Sequence, residues 1–215
     1  MLCLSARDKK TVKMMKILQS DEVTIAGQKL IDAITHDMQV RAELEKEGKL
    51  FEGYHPQMRA IHESNALLLE DFLNHYGWPY PSKYSKEIHE AAWMIAIHAI
   101  SRPTLMKRVL NILEQALQSG QPVANEYAKF FDRIALYEGR PQMYGTQFFP
   151  SPQGWIAKDL YAPQHVDERR AQLGLSNLVE YKKEIGVIAG GFMDATALQQ
   201  FDDQWISFLK EVGWR

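Results

Sequence analysis

Apolar residues recur three and four positions apart through most of this 215-residue chain, in five runs separated by glycine and proline. That spacing is the period of a helix with one buried face, because about 3.6 residues per turn bring such positions into line. The first run, Glu22 to Gly48, carries Ile25, Leu30, Ile31, Ile34, Met38, Val40 and Leu44. The second, from Pro56 to His75, carries Met58, Ile61, Leu67, Leu68, Leu69, Phe72 and Leu73. Gly77, Pro79 and Pro81 stop it, since glycine suits the residue just past a helix and proline does not continue one.

The third run, Ser85 to Ile100, is apolar or small almost all the way round from Ala91 onward, which marks a central, buried helix. It also contains His89 and His98, and a histidine so placed must find a partner for its ring nitrogens. Two further runs, from Pro103 to Ser119 and from Val123 to Glu138, follow; the second brings Asp132 and Arg133 beside Phe130, Phe131 and Ile134. Past Gly139 and Pro141 the stretches Gln142–Phe149 and Trp155–Tyr161 flank Ser151 to Gly154, and are expected to pair as a β-hairpin. Short helices follow from Val166 and Ser176. A terminal amphipathic helix bears Leu198, Phe201, Trp205, Phe208 and Leu209.

The expected fold is therefore mainly α: a single compact multi-helix domain with a small β-hairpin after the fifth helix. Residues 1–21 read as a lead-in helix and 22–185 as the helical core, with the hairpin near 142–161. Residues 186–215 read as a C-terminal helix, packed on the core or used for homo-oligomer assembly.

Several classes of function are disfavoured. Lys and Arg number 25 against 27 Asp and Glu, dispersed along the chain, so nothing asks for nucleic acid or an anionic membrane. No apolar run approaches the roughly 20 residues of a membrane span. The N-terminal MLCLSARDKK lacks the order of a signal peptide. The single cysteine, Cys3, offers neither a disulfide frame nor a cysteine-based zinc site. A cytoplasmic setting is expected. Dinucleotide, Walker, nucleophile-elbow and H-E-x-x-H signatures are missing.

What remains is a set of polar residues in apolar surroundings. His98 with Asp132 would make a general base, because a carboxylate fixes an imidazole's tautomer and stabilises its protonated form. Arg133, Gln142 and Gln147 could supply donors to an anion or a developing oxyanion, and Tyr144 a proton or hydrogen bond. Asp37 and Arg41 stand four apart on the first helix, and by itself such a pair means surface decoration. The plain alternative is that Asp132 and Arg133 hold the following loop, that His98 is a satisfied core histidine, and that Tyr144-Gly145-Thr146-Gln147 is a hydrogen-bonded staple. No cofactor is predicted. Were a metal bound, His62, His89 and His98 would be the candidate ligands, although His89 and His98, nine residues apart, lie on opposite helix faces.

These pieces together resemble a bacterial domain-of-unknown-function family. The resemblance is carried by Asp37-x-x-x-Arg41, by Asn65 in the helix leading to Gly77-Trp78-Pro79, and by Trp93 and His98. It continues through Asp132-Arg133 and Gln142-x-Tyr144-Gly145-Thr146-Gln147. Val166 to Arg170, Leu173-Gly174-Leu175 and Glu180-Tyr181 complete it, over about residues 30 to 185. It implies a compact helical domain with a polar pocket, and brings no established reaction. His62 departs from the pattern, where an acidic or small polar residue is expected.

The leading expectation is a small-molecule enzyme of hydrolase or transferase type, its pocket between the His98 helix, Asp132-Arg133 and the YGTQ loop. His98 would be the base, Asp132 its orienter or an acid, and Tyr144 a proton or hydrogen-bond donor. Arg41 and Arg133 would clamp an anion, with Asp37, Asn65, Gln142 and Gln147 on the substrate. A non-catalytic ligand- or partner-binding module competes with it, and a metal-dependent oxidase or hydrolase is the third reading.

Overall fold

A computed structural model describes residues 6–49, 54–149, 155–157, 159–186 and 195–215; of 6–21 and 195–201 it describes the backbone alone. Cys3, the N-terminal side chains, the side chain of Phe201 and residues 187–194 lie outside that description. The described residues are mainly helical, and they gather into two compact units.

The first unit is built from α1 (Ala6–Lys46), α2 (Pro56–Tyr76) and α3 (Lys86–His98), each packed on the other two. The lead-in stretch and the first periodic run form one continuous helix, α1. Its buried positions are Gly27, Leu30, Asp37, Val40 and Leu44, a single row at helical spacing, while Ile25 and Met38 face out. Gly27 lets α3 approach this row closely: an added Cβ would lie 2.4 Å from Ile88 Cδ1 of α3, and Ile88 would have to move to admit it. Helix α3 answers with the small residues Ala91, Ala92 and Ala96, all buried. Ser85 caps it by accepting the amide of Ile88 at 3.3 Å. Between α2 and α3 the turn Gly77-Trp78-Pro79 adds Trp78 and Pro79 to the core. Gly77 takes φ +75, Trp78 is buried edge-on to His89, and His89 Nδ1 lies 3.0 Å from the Pro79 carbonyl.

The second unit holds α4 (Pro103–Gln118) and α5 (Ala124–Tyr137), which pack on each other, then a 3-10 turn at Pro163–His165. It continues with α6 (Val166–Gln172), α7 (Leu178–Glu184) and α8 (Ala195–Glu211). Phe208, Leu209 and Trp214 are buried within it. Trp214 donates its indole N–H to the Ile100 carbonyl at 2.7 Å, and Tyr137 packs against the rings of Trp205 and Trp214. The described part of the C-terminal apolar stripe is thus core, with Trp205 half-buried.

The expected hairpin forms no ladder of strands among the described residues. Among the described residues only two isolated bridges occur, Phe149 with Ile156 in the antiparallel sense and Gln142 with Leu160 in the parallel sense. The cause is Asp132. Its carboxylate accepts the amides of Met143, Tyr144 and Thr146, drawing successive N–H groups to one point where an extended strand alternates them, and Gly145 at φ +66 turns the chain between them. The alternating pattern read as strand is a loop wrapped around a buried carboxylate.

Candidate functional site

In the first unit three polar side chains from three helices meet in the core. Asp37 stands on the buried row of α1, seven residues from both Leu30 and Leu44, which is why its carboxylate has no solvent exposure. His62 stands on the buried face of α2 with Met58, Asn65, Ala66 and Leu69. His98 is the last residue of α3. Asp37 Oδ2 lies 3.1 Å from His62 Nε2 and accepts from His98 Nδ1 at 3.2 Å. The two imidazole rings are 4.8 Å apart and tilted by 32°. His62 is 6% exposed and His98 16%, so the cluster reaches solvent chiefly along His98.

Burial alone pushes the Asp37 carboxyl up, and the contacts and charges of His62 and His98 outweigh it, holding the group well below the usual carboxylate range. Asp37 is therefore a fixed negative charge in the core. Its second oxygen, Oδ1, is buried and has no hydrogen-bond partner among the described residues. Such an orphan costs about 1–3 kcal/mol, and native structures keep few of them. Asn65, one turn beyond His62, ties the helices by donating to the Ala33 carbonyl at 3.4 Å. Arg41, one turn beyond Asp37, is half-buried, and helix geometry leans its side chain back toward the Asp37 turn. The described residues offer its guanidinium no ion pair or hydrogen bond.

The second unit gathers the other predicted residues. Asp132, with no exposure, accepts Met143 N at 2.7 Å, Tyr144 N at 3.1 Å, and both the amide and the hydroxyl of Thr146 at 2.9 Å. Burial pushes its carboxyl up even against those four bonds. Gln142, equally buried, donates to the Gln147 carbonyl at 3.0 Å and accepts the Gln147 amide at 2.8 Å. Gln147 donates to the Lys129 carbonyl and accepts from Arg133 Nε at 3.2 Å. Tyr144 is edge-on to Tyr127 and Phe131, and burial with the neighbouring Tyr144 takes the Tyr127 hydroxyl up to about 12. Arg169 and Arg170 close the ring of bonds on the carbonyls of Met143 and Tyr144. A cleft of about 540 Å³ opens beside this loop, lined by Leu136, Arg140, Pro141, Leu160, Trp205 and Arg215.

The predicted residues thus fall into two sets. Asp37, Arg41, Asn65 and His98 belong to the first unit; Asp132, Arg133, Gln142, Tyr144 and Gln147 belong to the second. The carboxylate on His98 is Asp37, and the partners of Asp132 are the loop it holds. His62, which the sequence suggested only as a ligand should a metal be bound, completes the cluster, and its signal lay in the pattern. An acid on the apolar row of one helix and a histidine on the apolar row of the next are each expensive to bury alone.

The chain is, then, a mainly helical protein whose first unit encloses one carboxylate shared by two imidazoles. Residues 27–191 match a family of unknown function, DUF6624, and the chain belongs to that family. No curated protein and no solved structure matches it. No helix among the described residues is long and apolar enough to cross a membrane.

Proposed function

We propose that the protein is an enzyme of hydrolase or transferase type, acting on a small molecule at Asp37, His62 and His98. One observation carries this reading: a fully buried carboxylate bears on two imidazoles, one of which reaches solvent. A buried charge costs several kcal/mol unless paired, so a core that holds one retains it for a reason other than packing. The chemistry available is activation of a nucleophile. Asp37 favours positive charge between the helices, and that charge arrives either as a proton taken from water or a substrate hydroxyl, or as a bound cation. Arg41 would meet a negative group on the substrate. Asn65 would fix the helix that carries His62. In the second unit the Asp132 loop serves as scaffold.

The reading is tested with a panel of chromogenic substrates, nitrophenyl esters of carboxylic, phosphoric and phosphodiester type, against the purified full chain. Turnover of at least one class is expected, and His98→Ala should lower kcat by about 10²-fold or more, the usual worth of a positioned acid or base. Full activity in His98→Ala, with the wild-type circular dichroism spectrum, would contradict the proposal, as would no turnover of any member.

A further inference from the structure

We infer that Asp37, His62 and His98 bind one divalent transition-metal ion, of the zinc or ferrous iron class, which activates the nucleophile. The inference rests on the reading of this cluster as the reactive centre, and it names the agent. Four features support it. The donor set is two imidazole nitrogens and one carboxylate oxygen, the set that zinc hydrolases and non-haem iron sites use with positions left open for water and substrate. The absence of thiolate disfavours cuprous ion, and the presence of nitrogen disfavours magnesium and calcium, which prefer oxygen throughout.

The spacing also fits. With bonds of about 2.0–2.2 Å, an ion spreads its donors roughly 3 to 3.5 Å apart. Asp37 Oδ2 stands 3.1 and 3.2 Å from the two nitrogens, and all three donor atoms lie within 4.8 Å of one another. On an ion the two imidazole nitrogens would have to draw together. Third, Asp37 Oδ1 is fully buried with no hydrogen bond among the described residues, which leaves a lone pair that none of them satisfies. A cation held by the carboxylate satisfies it. Fourth, the three ligands come from three mutually packed helices, so the site is set by the core of the first unit rather than by a loop.

The consequence is chemical. One carboxylate leaves a dipositive ion with a net charge of +1, which lowers the pKa of a bound water toward neutrality and releases its proton to solvent. It also favours an anionic substrate, for which Arg41 stands one turn along α1.

The test is direct binding of Zn²⁺, and anaerobically of Fe²⁺, to the chelator-stripped full chain, read by isothermal titration and elemental analysis. One ion per chain is expected. Affinity should fall at least 100-fold in His62→Ala and in His98→Ala, and remain unchanged in His75→Ala, whose side chain is exposed on α2. Because core variants can fail to fold, the wild type is also loaded with Co²⁺, whose visible absorption reports nitrogen and oxygen ligation at a low-coordinate site. Substoichiometric binding to the wild type, or a cobalt spectrum of the hexa-aquo ion, overturns the inference. Turnover that survives complete chelation overturns it too while leaving the enzyme reading intact. Stoichiometric metal with no turnover of any panel substrate does the opposite.

Discussion

His98 Nδ1 stands 3.2 Å from Asp37 Oδ2, although 61 residues separate them in the chain. The contact joins the C-terminal end of α3 to the C-terminal half of α1, and His62 completes it from α2. Neutralising Asp37 tests its weight. Asp37→Asn keeps the shape but removes the charge on which both imidazoles bear at Oδ2 and leaves a buried N–H₂ group at the unpartnered Oδ1 position, so we expect a loss of about 1–3 kcal/mol in urea unfolding, the cost of an unsatisfied buried polar group. A variant as stable as the wild type would mean the cluster is already relaxed without its charge.

Asp132 predicts a larger effect. Its removal in Asp132→Ala strands three backbone amides and the Thr146 hydroxyl, and should cost about 3 kcal/mol or more. Thr146→Val removes only the hydroxyl and should cost about 1 kcal/mol. Equal losses from the two variants would show that the amides find other acceptors.

Two glycines make a paired test of backbone and packing. Gly145 and Gly174 share a positive φ, +66 and +69, so alanine at either adopts a disfavoured conformation costing roughly 1–2 kcal/mol. At Gly145 the new methyl would also lie 3.0 Å from Leu178 Cδ1 and 3.1 Å from Leu160 Cδ2, whereas at Gly174 it meets nothing within 4 Å. Thermal unfolding should therefore place Gly145→Ala below Gly174→Ala.

Glu138 supplies a pH dependence. Burial raises its pKa, but Lys107 at 2.7 Å and Arg140 outweigh burial and hold the carboxyl below its ordinary value. A lowered folded pKa means that the stabilisation is complete above the unfolded value, about 4.3, and is lost as pH falls through the folded one. Wild type should exceed Glu138→Gln by about 0.5–1 kcal/mol at neutral pH, the worth of a largely exposed ion pair. The difference should shrink in unfolding curves taken below pH about 4.

Much of the helical order was legible, because apolar period and Gly/Pro punctuation are local properties. The runs at 56–75, 85–100, 103–119 and 123–138 correspond to α2 through α5. The β-hairpin was misread because alternation at 142–149 does not reveal that Asp132, at least 11 residues back on α5, takes three amides of this stretch. That His98 needs a partner was readable from its buried helix, but not which carboxylate would serve, since Asp37 and Asp132 are both remote in sequence. Asp37 looked like half of a surface pair with Arg41 when only the four-residue spacing was weighed. Its seven-residue register with Leu30 and Leu44 placed it in the core. His62 carried the same signal on α2.

The most direct measurement of which unit does the chemistry is kcat/KM, on whichever panel substrate is turned over, for His98→Ala beside Thr146→Val. We predict a loss of about 100-fold or more in His98→Ala, with Thr146→Val within a few-fold of wild type once both are shown to be folded. A large loss in Thr146→Val with His98→Ala fully active would contradict the account and move the reactive centre to the Asp132 loop.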